Sequence, residues 1–129
     1  MAGYLQRIAR AVGGSGSIIT ASSGTVANAS AVAALPSVTN RMNFITGFEV
    51  TSTGSTAATV VTITVTGVTN QLNYTYASVA GVLLINQALL VEFPQPVPAS
   101  AVSTAITVTV PALGGGNTNA TVNIHGYVV

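Results

Sequence analysis

The chain has 129 residues, enough for one domain, and only 4% of them are charged, whereas charged residues make up about 25% of an ordinary soluble domain. The charged residues are three arginines and two glutamates: Arg7, Arg10, Arg41, Glu49 and Glu92. A net charge of +1 is too small to predict a nucleic-acid partner. The absence of cysteine excludes disulfides, thiolate metal sites and thiol redox chemistry.

The scarcity of charge also bears on how the surface is used. A soluble monomer normally relies on mixed surface charge for solubility and on charged edge strands to keep sheets apart. This sequence offers almost neither, so we expect much of its surface to be covered by further copies or by a larger assembly. The longest apolar run, residues 79–85, is far shorter than the roughly 18 residues of a membrane helix. We therefore predict no membrane partner, and we also predict no secretion signal.

Residues 1–40 do not resemble core-forming sequence. Leu5, Ile8, Ala9 and Val12 fall at helical spacing, which allows a short amphipathic helix. A glycine- and serine-rich joint follows at residues 13–17, and residues 18–36 are a low-complexity stretch of Ala, Ser, Thr and Val. We predict an extended N-terminal arm over residues 1–40 and a folded domain over residues 41–129.

From residue 41 onward the hydrophobic pattern has a period of two, which is typical of half-buried strands. In residues 41–52 one predicted face holds Met42, Phe44, Phe48 and Val50, and the other holds Asn43, Glu49 and Thr51. Residues 59–67 alternate more regularly, with Val61, Ile63 and Val65 facing inward and threonines facing outward. A strand carrying Leu72, Tyr74 and Tyr76 on its inner face follows a turn at residues 67–70.

The second half of the domain continues this pattern. We predict strands near residues 82–85 and 88–93, then a loop at residues 93–98, because prolines at 94, 96 and 98 oppose regular ladder pairing. Two more strands follow at residues 106–110 and 121–128, the last with Val122, Ile124, Gly126 and Val128 facing inward. Some seven strands at this spacing predict an all-β, antiparallel β-sandwich, either jelly-roll or immunoglobulin-like.

The sequence contains little that suggests catalysis. A serine, His125 and either Glu49 or Glu92 would complete a hydrolytic triad on paper, but no Gly-x-Ser-x-Gly segment presents a serine nucleophile. His125 shares a strand face with Thr121 and Asn123, which favours a surface or interface histidine. One histidine and two glutamates cannot fill a zinc or calcium site alone, although His125 from several subunits could share one. We predict no catalytic, cofactor-binding or metal-binding residues.

Three tyrosines raise a different possibility. Tyr74, Tyr76 and Tyr127 could form a platform on which sugar rings stack. Strand alternation already explains Tyr74 and Tyr76 as core residues beside Leu72, so we favour the core interpretation.

The C-terminal segments LLVEFPQPVPAS and ITVTVPALGGGNTNATVNIHGYVV resemble the small β-sandwich proteins of tailed-phage virions, in particular capsid decoration or cement proteins. The resemblance covers residues 41–129. It implies a protein that binds an assembled lattice of the major capsid protein, often as a trimer, with an N-terminal arm that reaches neighbouring subunits. It also implies a location in the virion, assembled in the host cytoplasm.

Three functions therefore remain open. The first is a capsid decoration or cement subunit, a structural protein that forms homo-oligomers and stabilises the lattice. The second is a carbohydrate-binding or host-recognition module whose loops, at residues 93–100 or 114–119, contact a glycan. The third is a tail, fibre or shell component of the virion, because a fold class alone does not decide the role within an assembly.

Overall fold

A computed structural model describes residues 16–114 and 119–129 as β-strands joined by turns, in two antiparallel sheets packed together. This part of the chain contains the strands β1 (Ser17–Ser22), β2 (Val26–Ala27), β3 (Ala31–Leu35), β4 (Asn43–Ser52), β5 (Thr59–Thr66), β6 (Leu72–Ser78), β7 (Leu89–Pro98), β8 (Ile106–Val110) and β9 (Asn119–Val128). The predicted all-β, antiparallel β-sandwich is confirmed.

The strands pair in a nested order. The first sheet has the order β1-β9-β4-β7, with β2 also paired to β9, and the second sheet has the order β3-β8-β5-β6. Thus β5 pairs with β6, β4 with β7, β3 with β8 and β1 with β9. The chain runs like one long hairpin whose successive strand pairs fall alternately in the second and the first sheet. Further pairings of β4 with β9 and of β5 with β8 join these pairs side by side.

The core lies between the two sheets and is built from small and branched side chains. In β8 and β9 every second residue is buried, and the residues between them are partly exposed. The inward faces that alternation predicts for β5, β6 and β9 are confirmed. The largest fully buried side chains come from both sheets: Phe48, Leu35, Ile45, Ile63, Ile106, Ile124, Val50, Val65, Val108, Val110, Val122 and Asn43.

The predicted arm boundary at residue 40 differs from the structure, in which three strands within residues 17–35, β1, β2 and β3, belong to the sheets. β1 has 6 residues and pairs with β9, and β3 has 5 residues and pairs with β8. Ala31, Ala33 and Leu35 are buried in the core. Small side chains, whose composition is typical of a linker, therefore serve here as core residues of an edge strand. Residues 1–15, including the predicted short helix, lie outside the described residues.

The inward and outward faces predicted for the first half of β4 are wrong, because the strand contains a bulge. Its pairings with β9 and with β7 both shift register between Ile45 and Gly47. Against β9 the shift adds one residue to β4, which exchanges the two faces of the first half of the strand. Asn43 and Ile45 therefore point inward, and Phe44 points outward. The buried Asn43 amide donates to the carbonyl oxygens of Pro36 at 2.8 Å and Thr104 at 3.0 Å, so it fastens two connections to the end of β4.

Residues 93–98, predicted as a loop, lie within β7, which continues to Pro98 as an edge of the first sheet. The predicted interruption of regular ladder pairing is nevertheless present: Glu92 pairs with Gly47 and Val97 with Ile45, and residues 93–96 between them have no β4 partner in the register. Pro94, Pro96 and Pro98 are exposed, and an edge strand tolerates proline because one of its sides needs no partner. The prolines therefore remain in the strand and oppose pairing with a further strand at this edge.

The strand predicted at residues 82–85 is a turn. Residues 79–88 connect β6 to β7, and within this connection Ile85 makes an isolated bridge to Thr53 while Ala80 makes one to Ser55. The short apolar run that suggested a buried strand is largely exposed.

Candidate functional site

His125 and Glu49 form a hydrogen-bonded pair on the outer face of the first sheet. His125 lies opposite Gly47 in the pairing of β9 with β4, and Glu49 lies two residues further along β4. The His125 Nε2 atom is 2.6 Å from Oε2 and 2.8 Å from Oε1 of Glu49. The two side chains are 41% and 33% exposed, so the pair contributes at most about 1 kcal/mol to stability.

Glu92 lies in the same row of the sheet. Gly47 is paired with His125 on one side and with Glu92 of β7 on the other. A Cβ atom on Gly47 would lie 2.5 Å from the carbonyl oxygen of Val91, so a side chain at this position would require the backbone to shift. The gap above Gly47 forms a shallow depression lined by both carboxylates and the histidine of this chain. The register thus brings together the acid and base residues that the sequence analysis considered.

The chemistry available in this depression is limited. Its described lining contains Thr46, Gly47, Glu49, Val91, Glu92, Phe93 and His125, and no serine. His125 and Glu49, which were considered as two members of a triad, are hydrogen-bonded to each other. Within residues 16–114 and 119–129, no serine lines the depression that contains them. In the same residues, no three metal-ligating side chains are grouped closely enough to hold an ion. What the depression offers is one acid–base pair on an open sheet surface.

The three tyrosines that were considered as a sugar platform lie in different environments. Tyr76 is buried, and its hydroxyl shares a 2.6 Å hydrogen bond with Ser52 Oγ. Tyr74 packs edge-on against Phe48, with ring centroids 5.3 Å apart, and partial burial raises the pKa of its hydroxyl. Tyr127 stacks on Phe44 across the outer face of the first sheet, at 5.0 Å. The tyrosines do not form a shared platform.

The loops predicted to contact a glycan are also placed differently from that expectation. Residues 93–98 belong to β7, and Ala99 continues by donating its backbone N–H to the Asn43 carbonyl at 2.8 Å. Of the segment 114–119, residues 115–118 lie outside the described residues.

A feature that the sequence analysis missed is the apolar end of the β6–β7 connection. Leu83 is 88% exposed, Leu84 55% and Ile85 82%. We call these three residues the apolar tip. Three consecutive exposed aliphatic side chains of this size mark a surface for contact with another molecule more often than scattered single ones do.

A buried polar network holds the base of this connection in place. Asn86 is only 3% exposed, and its amide donates to Ser52 Oγ at 2.7 Å and to the Thr53 carbonyl at 2.8 Å. The Val79 backbone N–H donates to Asn86 Oδ1 at 2.8 Å. Ser52 of β4 also bonds Tyr76 of β6. The Asn86 side chain therefore links both ends of the connection to β4 directly and to β6 through Ser52.

Backbone hydrogen bonds fix the tip itself. Gly54 donates to the Leu84 carbonyl at 2.6 Å, and Gly81 donates to the Ser55 carbonyl at 2.7 Å. Gly81 has a φ of 118°, which favours glycine. The apolar tip is therefore an ordered projection of the sandwich.

An apolar groove lies at the other end of β6 and β7, between the edges of the two sheets. Its lining consists of Val68, Thr69, Asn70, Leu72, Tyr74, Phe93, Val97 and Pro98. None of these residues is charged, and the groove encloses about 400 Å³. We call it the edge groove.

No family model, no curated protein and no solved structure matches this chain. Among the described residues, no helix is long and apolar enough to cross a membrane.

Proposed function

We propose that this protein is a non-catalytic structural subunit of a virus particle, and that its fold is a jelly roll. The observation that carries the proposal is the nested strand order, β1-β9-β4-β7 against β3-β8-β5-β6. A jelly roll is a double-sheet sandwich built from two Greek keys, and a long hairpin folded over into two sheets has this nesting. The immunoglobulin-like alternative has the sheets ABED and CFG, in which the first and last strands do not pair within one sheet.

Jelly rolls occur in viral capsid proteins, in lectins and in cupins, so the fold alone does not decide among these roles and the properties of the surface are needed. Only Arg41, Glu49 and Glu92 are charged within the described residues, and a surface with so little charge favours burial between subunits. The exposed large aliphatic residues support the same choice: Ile18, Val32, Val38, Val60, Val79, Leu83, Leu84, Ile85, Leu90, Val102 and Val129.

Within a virus particle, the role that we propose is capsid decoration or cement, with the major capsid protein and further copies of the chain as partners. A trimer is the assembly that the resemblance to phage decoration proteins implies. Within the described residues, the contact surface in this proposal is that of the sandwich, because β1, β2 and β3 belong to the sheets. A shell, tail or fibre subunit would use the same surfaces, and it is the alternative within the same class.

The proposal is tested on two levels. Sedimentation velocity of the recombinant full chain over a wide concentration range should show a discrete oligomer, and mass spectrometry of density-banded particles from the source should detect the protein in stoichiometric amounts. Particles from which the protein is stripped should be less resistant to heat, and should regain their resistance when it is added back. A monodisperse monomer at high concentration, together with absence from purified particles, would contradict the proposal.

A further inference from the structure

The apolar tip and the edge groove cannot meet within one molecule. The tip follows the end of β6 at Ser78, whereas the groove lies beside the start of β6 at Leu72. Four residues of β6, 75–78, lie between the groove residue Tyr74 and the connection that carries the tip, which is about 13 Å at roughly 3.3 Å per residue. The edge groove of one subunit is thus open to an apolar group from elsewhere.

The two surfaces are matched in chemistry and size. No charged residue lies among the groove lining or in residues 79–86, so docking one on the other buries no unpaired charge. The edge groove is an open depression of about 400 Å³, larger than the closed cavity of roughly 150 Å³ that accepts a benzene molecule. Aliphatic side chains of the tip therefore have room to lie against its lining.

The tip is also prepared for binding before it meets a partner. Asn86 and the backbone hydrogen bonds of Gly54 and Gly81 already hold its conformation. Binding then avoids most of the cost of ordering a loop, which otherwise reduces affinity. An ordered apolar projection and an uncharged apolar groove on the same chain are the elements of a self-association contact.

We propose that the apolar tip of one subunit, chiefly Leu83 and Ile85, binds in the edge groove of a second copy of this chain. This inference rests on the proposed function and specifies the contact by which the subunits associate. Because the tip and the groove are different surfaces, the contact is heterologous: it closes into a ring where the rotation allows and otherwise continues as a chain. In a closed trimer each subunit would donate one tip and accept one.

Two variants test the contact from its two sides. The double variant Leu83→Ser/Ile85→Ser removes the tip while changing only exposed residues, which are 88% and 82% exposed in the wild type. The variant Thr69→Arg places a long charged side chain at an exposed position in the groove lining. The tip variant should weaken self-association by roughly a hundredfold in sedimentation velocity, since each buried aliphatic side chain is worth about tenfold or more. Thr69→Arg should weaken it as well, because docking of the tip would then bury an unpaired charge.

A matched control is the double variant Val60→Ser/Leu90→Ser. These residues are 66% and 72% exposed and lie outside the tip and the groove. The control should associate like the wild type, which shows that loss of surface hydrophobicity alone does not explain the effect.

The decisive measurement is a mixture of the tip variant with the groove variant. The tip variant retains an intact groove and the groove variant retains an intact tip, so a heterologous contact predicts that the mixture forms a dimer while each variant alone remains monomeric. Wild-type oligomers that persist in both variants would overturn this inference and leave the proposed function standing. A wild type that is monomeric at all concentrations would overturn both. Binding of the wild type to phosphatidylcholine vesicles, lost in the tip variant and without self-association, would assign the tip to a lipid surface instead.

Discussion

At the scale of single residues, Asn86 has the most consequential set of contacts in the described chain. Its side chain bonds Ser52, the Thr53 carbonyl and the Val79 backbone N–H. Replacing Asn86 by Ala removes these three hydrogen bonds, one buried and two part-buried, and a hydrogen bond of this kind contributes about 0.5–1.5 kcal/mol. We expect Asn86→Ala to lower the free energy of unfolding by about 3 kcal/mol in urea denaturation.

The matched control for this prediction is Asn73→Ala. Asn73 lies on the exposed face of β6 and bonds only the neighbouring Gln71 in the contacts described. A surface change of this kind alters stability by no more than about 0.5 kcal/mol. Equal losses in the two variants would show that the Asn86 network does not stabilise the β6–β7 connection.

At the scale of elements, the bulge in β4 leads to a prediction that opposes simple alternation. Sequence periodicity places Phe44 in the core, whereas the structure buries Ile45 and stacks Phe44 on Tyr127 at the surface. We expect Ile45→Ala to cost about 2–5 kcal/mol, because it leaves a cavity in the core. Phe44→Ala should cost less than Ile45→Ala, because Phe44 is only half-buried and the stacking that it loses is worth about 0.5–1.5 kcal/mol beyond the area that it buries. Urea denaturation of both variants measures which change lowers the free energy of unfolding more. A larger decrease for Phe44→Ala would support the alternation that places Phe44 in the core.

The same comparison shows how far sequence reasoning reaches. Alternation was sufficient for β5, β8 and β9, because these strands have a regular phase from end to end. It failed at β4 because an inserted residue reverses the faces, and it failed at β3 because a core strand made of alanines has a linker-like composition. His125 was placed outward correctly, but the choice of Glu49 as its closer acidic partner depends on strand register, which periodicity does not determine.

The N-terminal strands carry a second prediction at this scale. A chain that begins at residue 16 retains every described strand and should unfold cooperatively in urea. A chain that begins at residue 41 lacks β1 and β3, which exposes the edges of β9 and β8 and removes the buried Leu35. We expect the shorter chain to be unfolded or aggregated, as judged by circular dichroism and size-exclusion chromatography. A soluble, cooperatively folded product from residue 41 would show that β1 and β3 are dispensable.

At the scale of the whole molecule, the scarcity of charge determines how association should respond to salt. Between about 0.1 M and 1 M ionic strength the screening length falls from about 10 Å to 3 Å, so a contact held by ion pairs weakens strongly. The apolar tip and the edge groove contain no charged residue. We therefore expect the self-association constant, measured by sedimentation equilibrium, to change by less than about threefold over this range of sodium chloride.

The heat of association provides an independent measure of the same contact. Burial of apolar surface gives a negative heat-capacity change, which is the most robust sign of an apolar interface. Dilution calorimetry at several temperatures should show this sign for the wild type and for Val60→Ser/Leu90→Ser, whereas Leu83→Ser/Ile85→Ser should give no dissociation heat because it does not associate. Strong salt dependence with a heat-capacity change near zero would instead attribute association to the five charged residues of the chain, of which Glu49 and Glu92 line the depression on the first sheet.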